Sequence, residues 1–458
     1  MKTLEAPPGK TLKPVSKPVF LQRVQWIFDP VGYLESNHQL SPDIFVGTGL
    51  GFGDKIVLVS HPDAIQYILT NDRKLFSAPG ELNLLLEPLV GDQSIITLSD
   101  DRHKRHRQLL MPPFHGERLA VYGDLIGRIT QDAFKELNVG DVFSARKVTQ
   151  GISLQVIFEA VFGLSDGDRA KQIKSVLAET TEHFASPLTS ALLFLKFLQF
   201  DLGAWSPWGQ FVRLRQQLTD LLYAELEERR ANPDENRSDI LSLLMAARDE
   251  DGQPLSDKEL RDELMTLLFA GHETTATAMA WALYWLHHKT EIQAKLLAEL
   301  NSLEPGADPI TIAKLPYLTA VCQETLRCTP VAMLTFPREA QEPVELLGYQ
   351  FPAGTIFMGC MYLTLQREDL YPNPKEFRPE RFLERKYTPF EFIPFGNGAR
   401  RCVGEALALY ELKLALATVL THYQLELVDS EPEVPRRRGV TLAPARGVQM
   451  RLLGARQR

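Results

Sequence analysis

Phe395-Gly-Asn-Gly-Ala-Arg-Arg-Cys402-Val-Gly404 is the stretch that decides how this chain is read. A lone cysteine stands between glycines, two residues after an arginine, and a helix-like apolar run begins at Glu405. That layout suits a thiolate held face-on to a flat, anionic cofactor. Peptide N–H groups and a helix N-terminus stabilise a deprotonated sulfur. Glycines at 398 and 404 let the backbone approach a planar ring with no Cβ between. Arg400 offers a fixed fork of donors to a carboxylate on such a ring. A buried structural cysteine in a tight turn is the plainer alternative, since free cysteine is among the most buried residue types.

The spacing Phe395-x-x-Gly398-x-Arg400-x-Cys402-x-Gly404 resembles the haem-ligand loop of the cytochrome P450 family. Four more elements of that family's pattern precede it in the family's order, from about His103 onward. The resemblance implies haem b (iron protoporphyrin IX) with Cys402 as its axial ligand. Phe395, Gly398 and Arg400 would then line the cofactor. Thiolate ligation pushes electron density toward O–O cleavage in this family.

Composition narrows the alternatives. The 458 residues are 44% apolar, ordinary for a globular enzyme, and show no linker and no repeat. A net charge of −8 argues against a nucleic-acid partner. The four cysteines, at 322, 328, 360 and 402, form no C-x-x-C and no paired spacing, as in a reducing compartment. No uninterrupted apolar run is long enough for a transmembrane helix, and the N-terminus lacks a secretory core. A cytoplasmic protein without a transmembrane anchor, at most loosely associated with a membrane, is expected. Residues 1–25 read as a proline-rich tail and 26–458 as one domain. Leu192-Leu-Phe-Leu-Lys-Phe-Leu-Gln-Phe200 is the most lipophilic stretch. A lid, a shallow membrane contact and a short buried helix all fit it.

Two strands around a turn are predicted over 43–60. The glycines at 47, 49, 51 and 53 do not make a dinucleotide loop, because Phe52 and Asp54 stand where G-x-G-x-x-G needs glycine. Apolar spacing of three to four residues predicts helices from Pro62 to about Ala247. Ser256-x-x-Glu259 is a capping box opening a proline-free helix to about His288. Short β pieces follow between Phe336 and Phe357, and a helix from Glu405 to about Tyr423. The fold class is mainly α with small β-sheets, one long central helix lying over the haem.

Ala270-Gly-His-Glu273-Thr274-Thr275 interrupts that helix with poor helix formers. A threonine hydroxyl there can bond back one turn and open the groove. H-E-x-x-H fails, because Ala276 holds the second histidine's place. By the resemblance, Glu273 and Thr274 relay protons to bound dioxygen. Glu324 and Arg327 share a helix face at i, i+3, and alone would be an ordinary surface pair. The family joins such a pair to a second arginine, here Arg381, in a buried structural cluster.

His103 and Arg107 share a face at i, i+4, and the bland meaning of that basic run is a solvated helix. In the family this helix meets a haem propionate, and Arg338 matches a further propionate donor. Arg102, Lys104, Arg105, Arg401 and Lys413 would flank the cysteine side as a positive patch suited to an acidic electron donor, a ferredoxin or flavodoxin with its reductase. No FMN- or NAD-binding segment follows Gly404, so the electrons are expected from another protein.

By family analogy the substrate pocket takes Leu82, Leu85, Leu86, Leu268, Ala270, Ala332, Met333, Leu334 and Leu442. So aliphatic a wall favours long lipophilic molecules. The reading is a haem-thiolate monooxygenase acting on a fatty acid or terpenoid, resembling in general pattern the fatty-acid-hydroxylating branches. A peroxide-driven or rearranging member, and a non-catalytic haem sensor, are the alternatives. The acid–threonine pair argues against both.

Overall fold

A computed structural model describes residues 12, 15–114, 116, 118–163, 167–234, 236–304 and 306–456. Its centre is one helix, Asp257–His288, of 32 residues, about 48 Å at 1.5 Å per residue. The Ser256 hydroxyl accepts the Glu259 N–H at 3.3 Å, and Glu259 Oε2 accepts the Ser256 N–H at 2.8 Å. This reciprocal cap satisfies two donors that would otherwise be left over at the helix start. Alanines 276, 278, 280 and 282 are buried along the second half. Side chains this small let Ala145–Phe162 and Glu405–His422 pack closely against it. The main core runs along these contacts.

The sheets are small and peripheral. Five strands lie in the spatial order Ile44–Thr48, Lys55–Val59, Ile356–Gly359, Arg338–Ala340, Phe76–Ser77. The first two form an antiparallel hairpin with Val46 opposite Val57. Gly51 and Gly53 turn it at φ 97° and 119°, a region glycine enters without strain. Lys55–Val59 then pairs in parallel with Ile356–Gly359, which joins segments far apart in the chain. A separate hairpin, Pro435–Arg438 with Thr441–Pro444, sets Arg437 opposite Leu442.

Two regions depart from the sequence reading. The N-terminal segment is not a tail throughout. Residues 1–11, 13 and 14 lie outside the described residues, but Val19–Phe28 is helical. Pro18 precedes it, and Gln22, Trp26 and Ile27 fall on one buried face. The lipophilic stretch at 192–200 is not wholly buried. It spans the end of the helix Pro187–Phe194 and a single turn at Lys196–Leu198. Leu192 and Leu193 are buried, while Phe197 and Phe200 are 62% and 64% exposed.

Candidate functional site

One cavity of about 400 Å³ runs through the middle of the protein. The cysteine loop forms one wall and the central helix another. The helix contributes Leu267, Ala270, Gly271, Thr274, Thr275 and Ala278. These fall at intervals of three and four, a single stripe of a 3.6-residue helix.

Cys402 is exposed to this cavity, which it lines, while protein atoms crowd around its sulfur. Its backbone N–H donates to the Phe395 carbonyl at 3.1 Å, closing the loop on itself. Burial pushes the thiol up to about 11, against the pull of the Gly404 N–H and of Arg107 and Arg401. The protein alone therefore leaves this sulfur protonated. A metal ion at the sulfur would supply the missing positive partner.

The donors on the adjoining wall show what else the cavity accepts. Arg400 is buried and donates only to backbone carbonyls: Ile95 at 2.7 Å, Ala78 at 2.6 Å, Leu98 at 2.5 Å and Ile96 at 3.4 Å. No carboxylate among the described residues pairs with it. Burial, followed by Arg338, pushes its guanidinium down to about 10. His103 is pushed down to about 3 by burial and then by Arg400, Arg107, Arg73 and Arg338. It therefore stands neutral, with one ring N–H to donate. Arg107 ties its helix to the cysteine loop by donating to the Arg401 carbonyl at 2.7 Å. So much uncompensated positive charge at one buried wall is costly unless an anion arrives. A flat cofactor with two carboxylates and a metal fits this donor set.

Two residues assigned to the cofactor make close contacts within the protein. Arg338 is buried against Asp72, with Nε to Oδ1 at 2.5 Å, and donates also to the carbonyls of Phe336, Pro337 and Asn397. Asp72 accepts the Ala399 N–H at 2.7 Å as well, so the pair pins the cysteine loop to the rest of the fold. Gly398 does not face the cavity. At φ 70°, a Cβ there would meet Asp72 Oδ2 at 2.4 Å and the Leu69 carbonyl at 2.8 Å. Close packing against that neighbour, not approach to a ring, requires glycine.

On the central helix the two proposed relay residues point apart. Thr274 lines the cavity and donates to the Ala270 carbonyl at 2.8 Å. Glu273 lies off the cavity stripe, ion-paired to Arg146 and, at 3.2 Å, to Arg438. Glu324 and Arg327 are fully buried and Arg381 nearly so. Arg327 grips Glu324 through two bonds of 2.7 and 2.9 Å, and Arg381 reaches the same carboxylate at 3.0 Å. Both arginines also hold carbonyls of the segment leading to the cysteine loop, among them Leu365 and Pro372.

Of the residues assigned to the substrate pocket, Leu86, Ala270, Ala332, Met333 and Leu334 line the cavity. The others do not. Leu268 is core, one residue off the cavity stripe. Leu85 packs with Phe184, Leu192, Leu193 and Phe211. Leu82 sits beside Gly53. Leu442 packs in a second core, its carbonyl taken by Trp281. The basic patch is also smaller than its sequence suggested. Arg105 is engaged by Asp249 at 2.5 Å and Glu259 at 3.1 Å, Arg401 by Glu405 at 2.6 Å, and Lys413 by the Ala313 carbonyl at 2.9 Å. Arg102 and Lys104 are exposed, with no carboxylate partner among the described residues.

Three cavity groups escaped the sequence reading. Glu263 accepts from the Ile95 N–H at 2.8 Å and contacts His106 at 2.7 Å, and burial pushes its carboxyl up. Glu411, on the helix after the cysteine, is pushed up to about 8 by burial. Arg437 lines the cavity where the hairpin Pro435–Arg438 meets the helix Val19–Phe28. Glu263 continues the helix stripe by one more turn, a spacing that could have revealed it. The other two carry no such signal.

Fold and site together define a protein built to hold a flat, anionic, metal-bearing cofactor against a cysteine. A sequence model of the family described as Cytochrome P450 matches residues 40–450. Cytochrome P450 135B1 of Mycobacterium tuberculosis is 35% identical over 407 residues, 89% of this chain and 84% of that one. Cytochrome P450 135A1 of the same organism is 31% identical over 458 residues, 99% and 97% of the two chains. Among solved structures, retinoic acid-bound cyanobacterial CYP120A1 superposes with a TM-score of 0.82 at 25% identity, covering 94% of this chain and 96% of that one. The chain belongs to the cytochrome P450 family. It is a haem-thiolate monooxygenase that binds haem b and uses O₂ with electrons from a redox partner. No helix among the described residues is long and apolar enough to cross a membrane.

Proposed function

We propose that this monooxygenase acts on lipophilic molecules of the fatty-acid or terpenoid type. The observation that carries this is the cavity wall away from the cysteine: Phe52, Leu86, Ile157, Phe194, Met333 and Leu334 are among its residues. Apolar walls of this kind take up hydrophobic ligands and orient them through a few polar groups. The structural relative with retinoic acid bound, a lipophilic acid, supports the same class.

Cys402 would hold the haem iron, while His103, Arg107 and Arg400 would hold its carboxylates. Bound there, the haem supplies the reduction and cleavage of O₂. Thr274 places a hydroxyl on the cavity stripe, and we assign it the last proton transfer. Glu273 carries a carboxylate one residue away, held by Arg146 and Arg438. It would exchange protons with that side of the helix. A hydroxyl poised in this way favours dioxygen over peroxide-driven or rearranging chemistry, and a haem sensor has no use for it.

Electrons would come from an acidic carrier, a ferredoxin or flavodoxin with its reductase, docking beside the cysteine loop. Arg102 and Lys104 on the helix next to that loop support this face. A cytoplasmic protein with loose membrane contact fits the exposed apolar side chains Phe20, Leu188, Phe197, Phe200 and Trp205. The helices Val19–Phe28 and Pro187–Phe194, which carry or adjoin them, touch each other.

The test is a titration of the ferric, haem-loaded protein with fatty acids, terpenes and polar controls, followed by the Soret band. Lipophiles that displace the water from the iron shift the band, and the reading predicts a shift with these alone. A shift with polar compounds and none with lipophiles would refute it.

A further inference from the structure

Where the helix Val19–Phe28 borders the cavity, its wall carries a cation with no counter-charge. Arg437 lines the cavity and is only 2% exposed. Its Nε donates to the Ile27 carbonyl at 3.1 Å and its Nη2 to the Trp26 carbonyl at 2.8 Å. No carboxylate among the described residues pairs with it, whereas Arg438 beside it is shared by Glu182 and Glu273. The rings of Trp26 and Phe194 lie 4.7 and 4.8 Å from the guanidinium carbon. Both rings line the cavity too.

A second observation is independent of the charge. Trp26 is buried, and its indole N–H has no hydrogen-bond partner among the described residues. A buried arginine without a counter-charge and a buried N–H donor without an acceptor leave two costs at one place. Burial alone, with no acidic neighbour to oppose it, pushes the Arg437 guanidinium down to about 9. Fixing the helix end through two carbonyls accounts for two of the five guanidinium N–H groups and none of the charge. The cavity residues packed with Trp26, among them Phe52, Phe194, Met333 and Met358, are apolar, so the missing partner is one that brings its own anion into an apolar cavity.

We propose that Arg437 and Trp26 form a carboxylate-binding subsite, so that the substrate is an amphipathic carboxylic acid with its tail toward Cys402. This rests on the lipophilic-substrate reading and narrows it. Arginine presents paired donors to a carboxylate, and the flanking rings hold the fork in its plane. The acid end held at Arg437 presents the opposite end of the molecule to the reacting centre. Arg437 is in this sense a specificity-determining residue.

The test compares matched acids and alcohols on the haem-loaded protein: hexadecanoic acid with hexadecanol, and farnesoic acid with farnesol. Dissociation constants are read from the ferric Soret shift. Each acid should bind about tenfold or more tightly than its alcohol, the scale of a charge-assisted pair in a dry site. In Arg437→Met the preference should fall to within about twofold while alcohol affinity is kept. The alcohol titration in the same variant reports that the pocket is intact. Trp26→Phe keeps the ring and removes the N–H, and should weaken the acids by about threefold and the alcohols not at all. If Arg437→Met fails to hold haem, Arg437→Lys decides: it keeps the charge, loses the planar fork, and should lower the preference without abolishing it. Equal binding of acid and alcohol to the wild type overturns the proposal and leaves the lipophilic reading standing. So does an acid preference that is undiminished in every Arg437 variant. No shift with any of the four compounds overturns both.

Discussion

Replacing Glu324 by glutamine removes one negative charge and almost no volume. Its carboxylate accepts four hydrogen bonds from nitrogen, two from Arg327 at 2.7 and 2.9 Å, one from Arg381 at 3.0 Å and one from the Arg378 N–H at 2.8 Å, and a fifth from the Cys328 thiol at 3.6 Å. All three charged side chains are at most 2% exposed. Glutamine keeps one acceptor oxygen and turns an NH₂ group toward the guanidinium groups, leaving two buried cations with no anion. Breaking a buried pair by removing one partner costs about 3–5 kcal/mol, consistent with about 4 kcal/mol for one unit pair at 4 Å and an effective dielectric of 20. The matching control is Glu384→Gln. Its pair with Arg378 is exposed at both ends, and such pairs contribute about 0–1 kcal/mol. Urea unfolding of the haem-loaded variants, followed by far-UV circular dichroism and by the Soret band, gives both losses. The Soret signal should be lost first in Glu324→Gln, because the segment gripped by Arg327 and Arg381 leads to the cysteine loop. A loss no larger than in Glu384→Gln would refute the argument that this cluster is a structural clamp.

Other expectations follow from single groups. Thr274→Ala should keep consuming NAD(P)H through the partner but yield about tenfold less product per electron, with the balance as peroxide; unchanged coupling would remove Thr274 from the proton path. Glu411 keeps its proton in the folded protein up to about pH 8, whereas an unfolded glutamate loses it above about 4.3. Stability from this group is thus complete below the unfolded value and declines as pH rises through the folded one, by about 1.4 kcal/mol per unit across that window. Glu411→Gln should lack this decline and be the more stable protein at pH 8; parallel pH profiles would contradict that. Lys104→Glu should slow first-electron reduction by an acidic ferredoxin about threefold at low salt, with the difference fading as salt screens it. Identical rates at every ionic strength would argue for apolar docking.

How far the sequence could be read depended on the range of the interaction. The long helix was legible from its capping box and lack of proline, and the strands at 44–59 from their turn glycines. These signals are local. The partners of Arg338 and Arg105 were not legible, because Asp72 and Asp249 lie far away in the chain and burial decides the pairing. Those pairings give Arg338 a clamping contact and draw Arg105 into an internal network. Leu268 and Glu273 illustrate a finer limit. On a helix, a neighbour one residue away points about 100° aside, so a run of candidate residues gives a wall only when its phase is known. The Arg437 end could not be anticipated, because it is assembled from the first described helix, the helix at 187–194 and a strand near the C-terminus.

The central claim is that Cys402 ligates the haem as a thiolate, and the reduced protein under carbon monoxide tests it most directly. Serine at 402 preserves size but is not deprotonated at neutral pH. The wild type should show the red-shifted Soret band of thiolate ligation. Cys402→Ser should lose that band while its far-UV circular dichroism stays unchanged. A red-shifted band that persists in Cys402→Ser would contradict the assignment of the axial ligand and the account built on it.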